Sequence, residues 1–373
     1  MTAPAPRLRW LMMASHVPPS GRLGGIVRYT VELARALGMR DDVDLHLSVK
    51  RHSVAALRPL VASDDHLHVL PALPAVVDPL VERYALGPLL GAGFDVVHGV
   101  KHLLPRGVRG LTALTVHDMI LLDRPRDFGR AKRTLLRRPY LASLRQADVP
   151  ICVSAATRER LRAWAPESAE RAVVTHPGSS STLFDTEGEP VAALVGRTFG
   201  LVVGDPTPRK NVPLALAAWA EVVRQRPDAL LVLIGPPSWG ESRYGDQLAD
   251  LEASGNLLRM QDVTDAALRW CYEQAAVVLC PSLYEGFGSP VVEAIDLGAP
   301  LLVSSDPAQV EAAAGRAVAV LPFDEPAAWA RAVLRELTDS RRGAERPRRG
   351  SRRTYEDAAE ETVVAVREAI ARR

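Results

Sequence analysis

Two glutamates, Glu285 and Glu293, stand eight positions apart in the segment Pro281-Ser282-Leu283-Tyr284-Glu285-Gly286-Phe287-Gly288-Ser289-Pro290-Val291-Val292-Glu293-Ala294. Gly286 and Gly288 bare the backbone and Pro290 fits the first turn of a helix, so Glu285 is expected in a loop and Glu293 about one turn into that helix. Carboxylates so placed reach different hydroxyl-bearing parts of one elongated ligand, because a carboxylate can accept two hydrogen bonds from a vicinal diol. The glycine amides and the helix N-terminus then face its phosphates.

Three further places carry chemistry. In Gly204-Asp205-Pro206-Thr207-Pro208-Arg209-Lys210-Asn211 two prolines and a glycine fix a loop, and Arg209 and Lys210 open a helix. Two cations there oppose the helix dipole, and a bound diphosphate would relieve them. His117-Asp118 follows an apolar run; a histidine there can donate to a phosphate or sugar oxygen or exchange a proton near neutral pH, although an isolated histidine is more often a satisfied core residue. The segment Pro18-Pro19-Ser20-Gly21-Arg22-Leu23-Gly24-Gly25 opens another helix. Gly24 and Gly25 there read equally as an anion cradle or as a plain connector.

Several other chemistries are excluded. Lys50, Lys101, Lys132 and Lys210 are the lysines, and none follows a glycine, so there is no P-loop. No G-x-G-x-x-[GA] occurs; Gly286-Phe287-Gly288 comes nearest but runs on to Val291. H-E-x-x-H is absent, and Asp42-Val43-Asp44 sits where a strand should begin and reads as structural, so no metal is expected. Cys152, Cys271 and Cys280 are too scattered for a disulfide framework and read as core residues of a reducing compartment. Lys plus Arg numbers 46 against 44 Asp plus Glu, so no global field draws the chain to nucleic acid.

The elements that position these residues follow an α/β alternation. Strands are expected at 8–15, 43–49, 67–70, 94–98, 111–116, 149–153 and 172–175, and again at 199–203, 230–234, 257–260, 277–280, 301–304 and 318–321. The clearest helix is Gly25–Leu37, with Ile26, Tyr29, Thr30, Leu33 and Leu37 on one face. At 373 residues, 47% hydrophobic, the chain is long enough for two cores. The turn-rich stretch 177–196 suits a linker, with domains at 1–190 and 191–350, and 351–373 forming an amphipathic helix after the arginine-rich 341–353. Ligands of such parallel sheets bind beyond the carboxyl ends of the strands, where all four motifs fall.

On these residues the chain resembles the retaining, nucleotide-sugar-dependent glycosyltransferases of family 4, whose Glu-x(7)-Glu signature stands here as Glu285 and Glu293 within PSLYEGFGSPVVEA. Supporting matches are GGIVRYTVELARAL, TVHDMILLDRP, ICVSAATRERL followed by THPG, GDPTPRKNVPLALAAW, and the closing YEDAAEETVVAVREAI. The resemblance implies a GT-B fold of two Rossmann-like domains facing across a cleft, with the last helix crossing back to the first. It implies that Arg209 and Lys210 hold the donor diphosphate, Glu293 the ribose hydroxyls and Glu285 the hydroxyls of the transferred sugar. The backbone of Gly286, Phe287, Gly288 and Ser289 would line the same site. His117 would contact the donor from the opposite domain, and Gly24 and Gly25 would approach the diphosphate on closure. Ser289, where the family often has a bulkier apolar residue, and Tyr355, where tryptophan is common, bear on sugar selectivity and local packing.

The expected reaction moves a hexosyl group of mannosyl, rhamnosyl or glucosyl type from a nucleotide-diphospho-sugar to a carbohydrate, lipid-linked or small-molecule acceptor. It needs no divalent metal and no cofactor, since Arg209, Lys210 and helix-terminal amides can stabilise the leaving diphosphate. Arg124, Arg126, Arg130, Lys132, Arg133, Arg137 and Arg138, opposed by Asp127 alone, form either a solvated helix face or a patch for anionic lipid. The expected location is therefore cytoplasmic, with peripheral placement at the inner face of the plasma membrane if the patch binds lipid. Competing readings are a GT-B sugar-nucleotide epimerase or phosphorylase, a non-catalytic nucleotide-sugar binding protein and, more weakly, a dehydrogenase.

Overall fold

The computed structural model describes residues 6–20, 24–71, 78–84, 86–87, 93–205, 207–236, 245–338 and 352–373. Gly21–Leu23 of the glycine segment, Pro206 and residues 341–351 of the arginine-rich stretch lie outside the described residues. The chain divides into two compact units, Met1–Gly178 with Arg353–Arg373, and Ser179–Arg352.

The first unit is built on a seven-stranded sheet of β1 (Leu8–Met13), β2 (Val43–Lys50), β3 (Leu67–Leu70), β4 (Val96–Gly99), β5 (Leu111–Val116), β6 (Val149–Cys152) and β7 (Val173–Val174). The order is β3-β2-β1-β4-β5-β6-β7, and the pairings are parallel. Central β4, β5 and β6 are buried along their whole length, whereas edge strands β3 and β7 keep partly exposed positions. That is why the central strands read as unbroken apolar runs: helices cover both faces of a parallel sheet. Helix α1 (Gly24–Gly38) buries Val27, Thr30, Leu33, Ala34 and Leu37 on one stripe. Helix α2 (Arg130–Gln146) buries Leu136, Tyr140 and Leu144.

The second unit repeats the plan with six strands, β8 (Phe199–Val203), β9 (Leu230–Ile234), β10 (Leu257–Met260), β11 (Val277–Cys280), β12 (Leu301–Ser304) and β13 (Ala319–Leu321). Their order is β10-β9-β8-β11-β12-β13, again parallel. Alternation along the strands feeds two cores: β11 sends Val278 and Cys280 to one layer and Val277 and Leu279 to the other. Helix α3 (Val212–Gln225) packs Trp219 into the second layer, while α4 (Asp265–Gln274) and α5 (Ser289–Asp296) pack Tyr272 and Val291 into the first. The break after Gly178 falls at the start of the turn-rich stretch, and the remainder of that stretch packs into this unit. Leu183 and Leu194 are its apolar anchors, both buried in the first layer.

Helix α6 (Tyr355–Ala371) rejoins the first unit. It begins in a capping box in which Thr354 and Asp357 satisfy each other's backbone amides. Gly178 makes room for that start, since a Cβ there would lie 2.2 Å from the Thr354 carbonyl carbon. The helix buries Tyr355, Ala358, Ala359, Val363 and Val366, and Arg367 and Glu360 pair with Asp42 and Arg40. The three cysteines are buried and unpaired, and burial pushes each thiol up to about 12.

Candidate active site

In each sheet the order of strands reverses at one place, between β1 and β4 in the first unit and between β8 and β11 in the second. Loops leaving adjacent strands diverge there and open a crevice, which is where open α/β sheets bind ligands. In the second unit that place is a pocket lined by Gly204, Lys210, Ser282, Glu285, Gly288 and Gln309, among others.

The loops after β8 and β11 are tied to each other by hydrogen bonds. Pro208–Lys210 forms a single 3-10 turn, after which Asn211 takes a left-handed conformation (φ 52°) and α3 begins. Asparagine tolerates that region better than most residues. Its Nδ2 donates to the carbonyl oxygens of Pro281 (3.1 Å) and Phe323 (2.8 Å), and the Leu283 amide donates to the Arg209 carbonyl (2.7 Å). Gly288, at φ 105°, turns the second loop into α5.

These ties bring Glu285 between both cations. Arg209 Nη1 lies 2.7 Å from Oε2, Lys210 Nζ 2.5 Å from Oε1, and the Ser282 hydroxyl donates to Oε1 at 2.8 Å. Burial at 7% exposure works to raise the pKa of Glu285, but Arg209, Lys210 and the Ser282 hydrogen bond outweigh it and hold the carboxyl at about 2. The two cations expected to meet a bound diphosphate thus flank the protein's own carboxylate, whose single negative charge offsets one of their two positive charges. Glu293, on α5, is buried and accepts a hydrogen bond from the equally buried Tyr272 (2.8 Å). Burial raises the pKa of the nearby Cys280 thiol, with Lys210 opposing and both glutamates assisting. Gly286 and Phe287 are half-buried, the Phe287 ring packs against the core, and Ser289 is exposed at the first position of α5.

In the first unit His117 follows β5. Its Nε2 donates to the Val100 carbonyl at 2.9 Å, and its ring meets Tyr29 edge-on at 4.7 Å. Burial pulls its pKa down to about 4, the Val100 hydrogen bond opposing and Lys101 assisting. Of the readings open for His117, the geometry favours the buried, hydrogen-bonded histidine over proton exchange near neutral pH, since its N–H is committed to the backbone and burial disfavours the charged ring. Asp118 caps the following turn by accepting from the Ile120 amide at 3.1 Å. Gly24, at φ 73°, and Gly25 open α1, and among the described residues no atom lies within 4 Å of a would-be Cβ at either.

Ser282, Tyr272 and Gln309 belong to the site but escaped the sequence reading. Ser282 lies three residues before Glu285, a spacing that suggests a local hydrogen bond. Nothing in the sequence points to Tyr272 or Gln309. Gln309 is 1% exposed, and its Oε1 has no hydrogen-bond partner among the described residues.

Comparison with known proteins agrees with this architecture. The family model described as Glycosyltransferase Family 4 matches residues 23–181, and that described as Glycosyl transferases group 1 matches residues 189–357. The chain belongs to the family 4 glycosyltransferases, and its two units are the Rossmann-like halves of the GT-B fold. Among curated relatives, the serotype-specific mannosyltransferase WbdA of Escherichia coli is 26% identical over 227 residues, 54% of this chain and 27% of WbdA. The O-antigen chain mannosyltransferase B of Escherichia coli is 26% identical over 252 residues, 65% of either chain. The chain therefore spans about a quarter of the length of WbdA. A sucrose-phosphate synthase from Thermosynechococcus elongatus superposes with a TM-score of 0.72 at 18% identity, covering 98% of this chain and all of that one. That likeness concerns the fold.

Proposed function

We propose that the protein is a retaining hexosyltransferase that takes its sugar from a nucleotide-diphospho-sugar and passes it to a carbohydrate or lipid-linked acceptor. The observation that carries this reading is the Arg209–Glu285–Lys210 cluster at the strand-order reversal of the second sheet. A diphosphate brings the negative charge that these cations already attract. As it binds, the guanidinium and ammonium exchange Glu285 for phosphate oxygens, which frees that carboxylate to accept from sugar hydroxyls. In the transition state the leaving nucleoside diphosphate gains charge, and the two cations oppose it without a divalent metal. Glu293, fixed by Tyr272, is assigned to the ribose, and neutral His117 to a contact with the donor rather than to proton transfer. Relatives named mannosyltransferases favour a mannosyl donor.

The test is a panel of UDP-, GDP- and dTDP-hexoses incubated with and without acceptor. Acceptor-dependent glycoside formation that persists in chelator and keeps the donor's anomeric configuration is the expected result. Donor epimerised without acceptor would point to an epimerase, and loss of transfer in chelator restored by Mg²⁺ or Mn²⁺ would overturn the metal-independent reading.

A lipid-linked acceptor would be presented at a membrane. No helix among the described residues is long and apolar enough to cross one. Helix α2 and the turn before it expose Arg126, Arg130, Lys132, Arg137 and Arg138. Near an anionic surface each such cation contributes about 1 kcal/mol. Sedimentation with vesicles containing phosphatidylglycerol is therefore expected to be salt-sensitive and lost on reversing Arg130, Lys132 and Arg137 to glutamate. Sedimentation no greater with phosphatidylglycerol than with neutral vesicles would remove anionic lipid from the reading.

A further inference from the structure

The edge of the first sheet carries a side-chain cluster that the transferase reading does not use. Asp44 and His46 stand two apart on β2 and share one face of the sheet. His66 ends the turn Asp64–His66 that leads into β3, and His68 follows on that edge strand. Three of the chain's nine histidines thus meet at one strand pair.

Their atoms converge. His66 Nε2 lies 2.9 Å from Asp44 Oδ1 and His46 Nε2 lies 3.2 Å from Asp44 Oδ2, and one ligand atom from each of the three residues lies within 4.8 Å of the others. The two imidazoles stack at 4.3 Å between centroids, and Phe94 stands edge-on to His46 at 5.1 Å, holding its plane. A tetrahedral ion with ligand bonds of about 2.0–2.2 Å holds neighbouring ligand atoms roughly 3.3 Å apart, close to the Asp44 separations.

A hydrogen-bonded network that serves only the fold would also join these groups, but the far side of each ring is built as well. His66 Nδ1 is 2.7 Å from the Ser63 hydroxyl and His46 Nδ1 is 3.2 Å from His68 Nε2. Once Nε2 binds a metal, Nδ1 carries the ring's proton and needs an acceptor, and each ring already has one in place. Arg9 approaches Asp44 at 4.0 Å from an exposed position, which weakens the local negative charge without supplying a ligand.

We propose that Asp44, His46 and His66 form a site for a divalent transition ion, Zn²⁺ in the first place, with Ser63 and His68 orienting the two rings. Asp44 and His46 lie in the first half of β2, whereas the candidate active-site residues follow the strands' carboxyl ends, so the ion is not part of the transfer chemistry. It fastens β3, a four-residue edge strand, to β2.

The test titrates ZnCl₂ into chelator-stripped protein, by calorimetry and by thermal unfolding. One Zn²⁺ per chain is expected, with a raised unfolding temperature for the first unit and unchanged transfer rate at 25 °C. His66→Gln and His46→Gln should abolish binding, His68→Gln and Ser63→Ala should weaken it about 10- to 100-fold, and exposed His52→Gln should leave it intact. Ser63→Ala and His68→Gln keep all three ligands, so they decide the matter if the ligand variants do not fold. Absence of stoichiometric binding by the folded wild type, or binding undiminished in the ring-orienting or ligand variants, overturns the proposal.

Discussion

Glu285 holds two cations that its proposed substrate also needs, and this competition has measurable consequences. Replacing it with glutamine keeps the shape and removes the charge, leaving Arg209 and Lys210 without their counter-ion. Glu285→Gln should therefore bind free nucleoside diphosphate more tightly than the wild type while transfer falls by 10²-fold or more; equal or weaker nucleotide binding, measured by calorimetry, would mean that the cations do not face the diphosphate. The pH behaviour follows from the same geometry. The folded carboxyl is held at about 2, below its ordinary value of 4.5. Its ion pairs thus contribute fully above pH 4.5 and are lost as pH falls toward 2, a contribution on the order of 3 kcal/mol. Between pH 5 and 8 it stays ionised in the donor-free protein, as His117 stays neutral, so neither should produce an inflection in the kcat/KM profile there. The glutamate pair, the cations and the histidine were all legible as residue types. Their mutual satisfaction was not, because a sequence shows which charges exist and only the fold shows which of them meet.

At the scale of elements, the alternation of apolar runs with helical stripes made both sheets legible, since strands buried on both faces leave an uninterrupted apolar signal that half-exposed strands lack. Even the short edge strand Leu67–Leu70 was readable, but Asp44 and His46 on β2 and His66 just before β3 come from two separate stretches of sequence and showed no motif. Asn211 illustrates another hidden dependence. It was read as the end of a basic loop motif, yet it is the residue that joins three loops, through its left-handed backbone and two side-chain hydrogen bonds. Asn211→Ala loses both bonds and places a less tolerant residue at positive φ, a cost of about 1–3 kcal/mol. Because the affected loops carry Arg209 and Glu285, the donor KM should rise together with a lowered unfolding temperature of the second unit. Asn211→Gly, which accepts the backbone angle but lacks the side chain, should recover only part of the stability and none of the KM.

At the scale of the whole molecule, the first unit is discontinuous: its last element arrives after the chain has built the second. The residues at 355–370 showed an amphipathic helix in want of a surface, but which surface came from the family resemblance alone, since a stripe of Ala and Val has no address. The structure supplies it. Tyr355 packs on Tyr29 at 5.9 Å, Tyr29 in turn on His117 at 4.7 Å, and Val363 and Val366 are 1% and 0% exposed. Burying each large apolar side chain contributes about 1.5–3 kcal/mol, so these three account for roughly 5 kcal/mol or more, against a net domain stability of about 5–15 kcal/mol. The accompanying ion pairs of Arg40 and Arg367 are partly exposed and add at most about 1 kcal/mol each. Ending the chain after Arg352 should consequently unfold the first unit or lower its transition sharply, while the second unit, whose cores contain no residue of α6, unfolds as before. Calorimetry of the truncated chain, with hydrogen exchange to assign each transition, separates the outcomes. If the first unit's strands β4, β5 and β6 kept full protection without the helix, the terminal segment would be an accessory to that unit rather than part of its core.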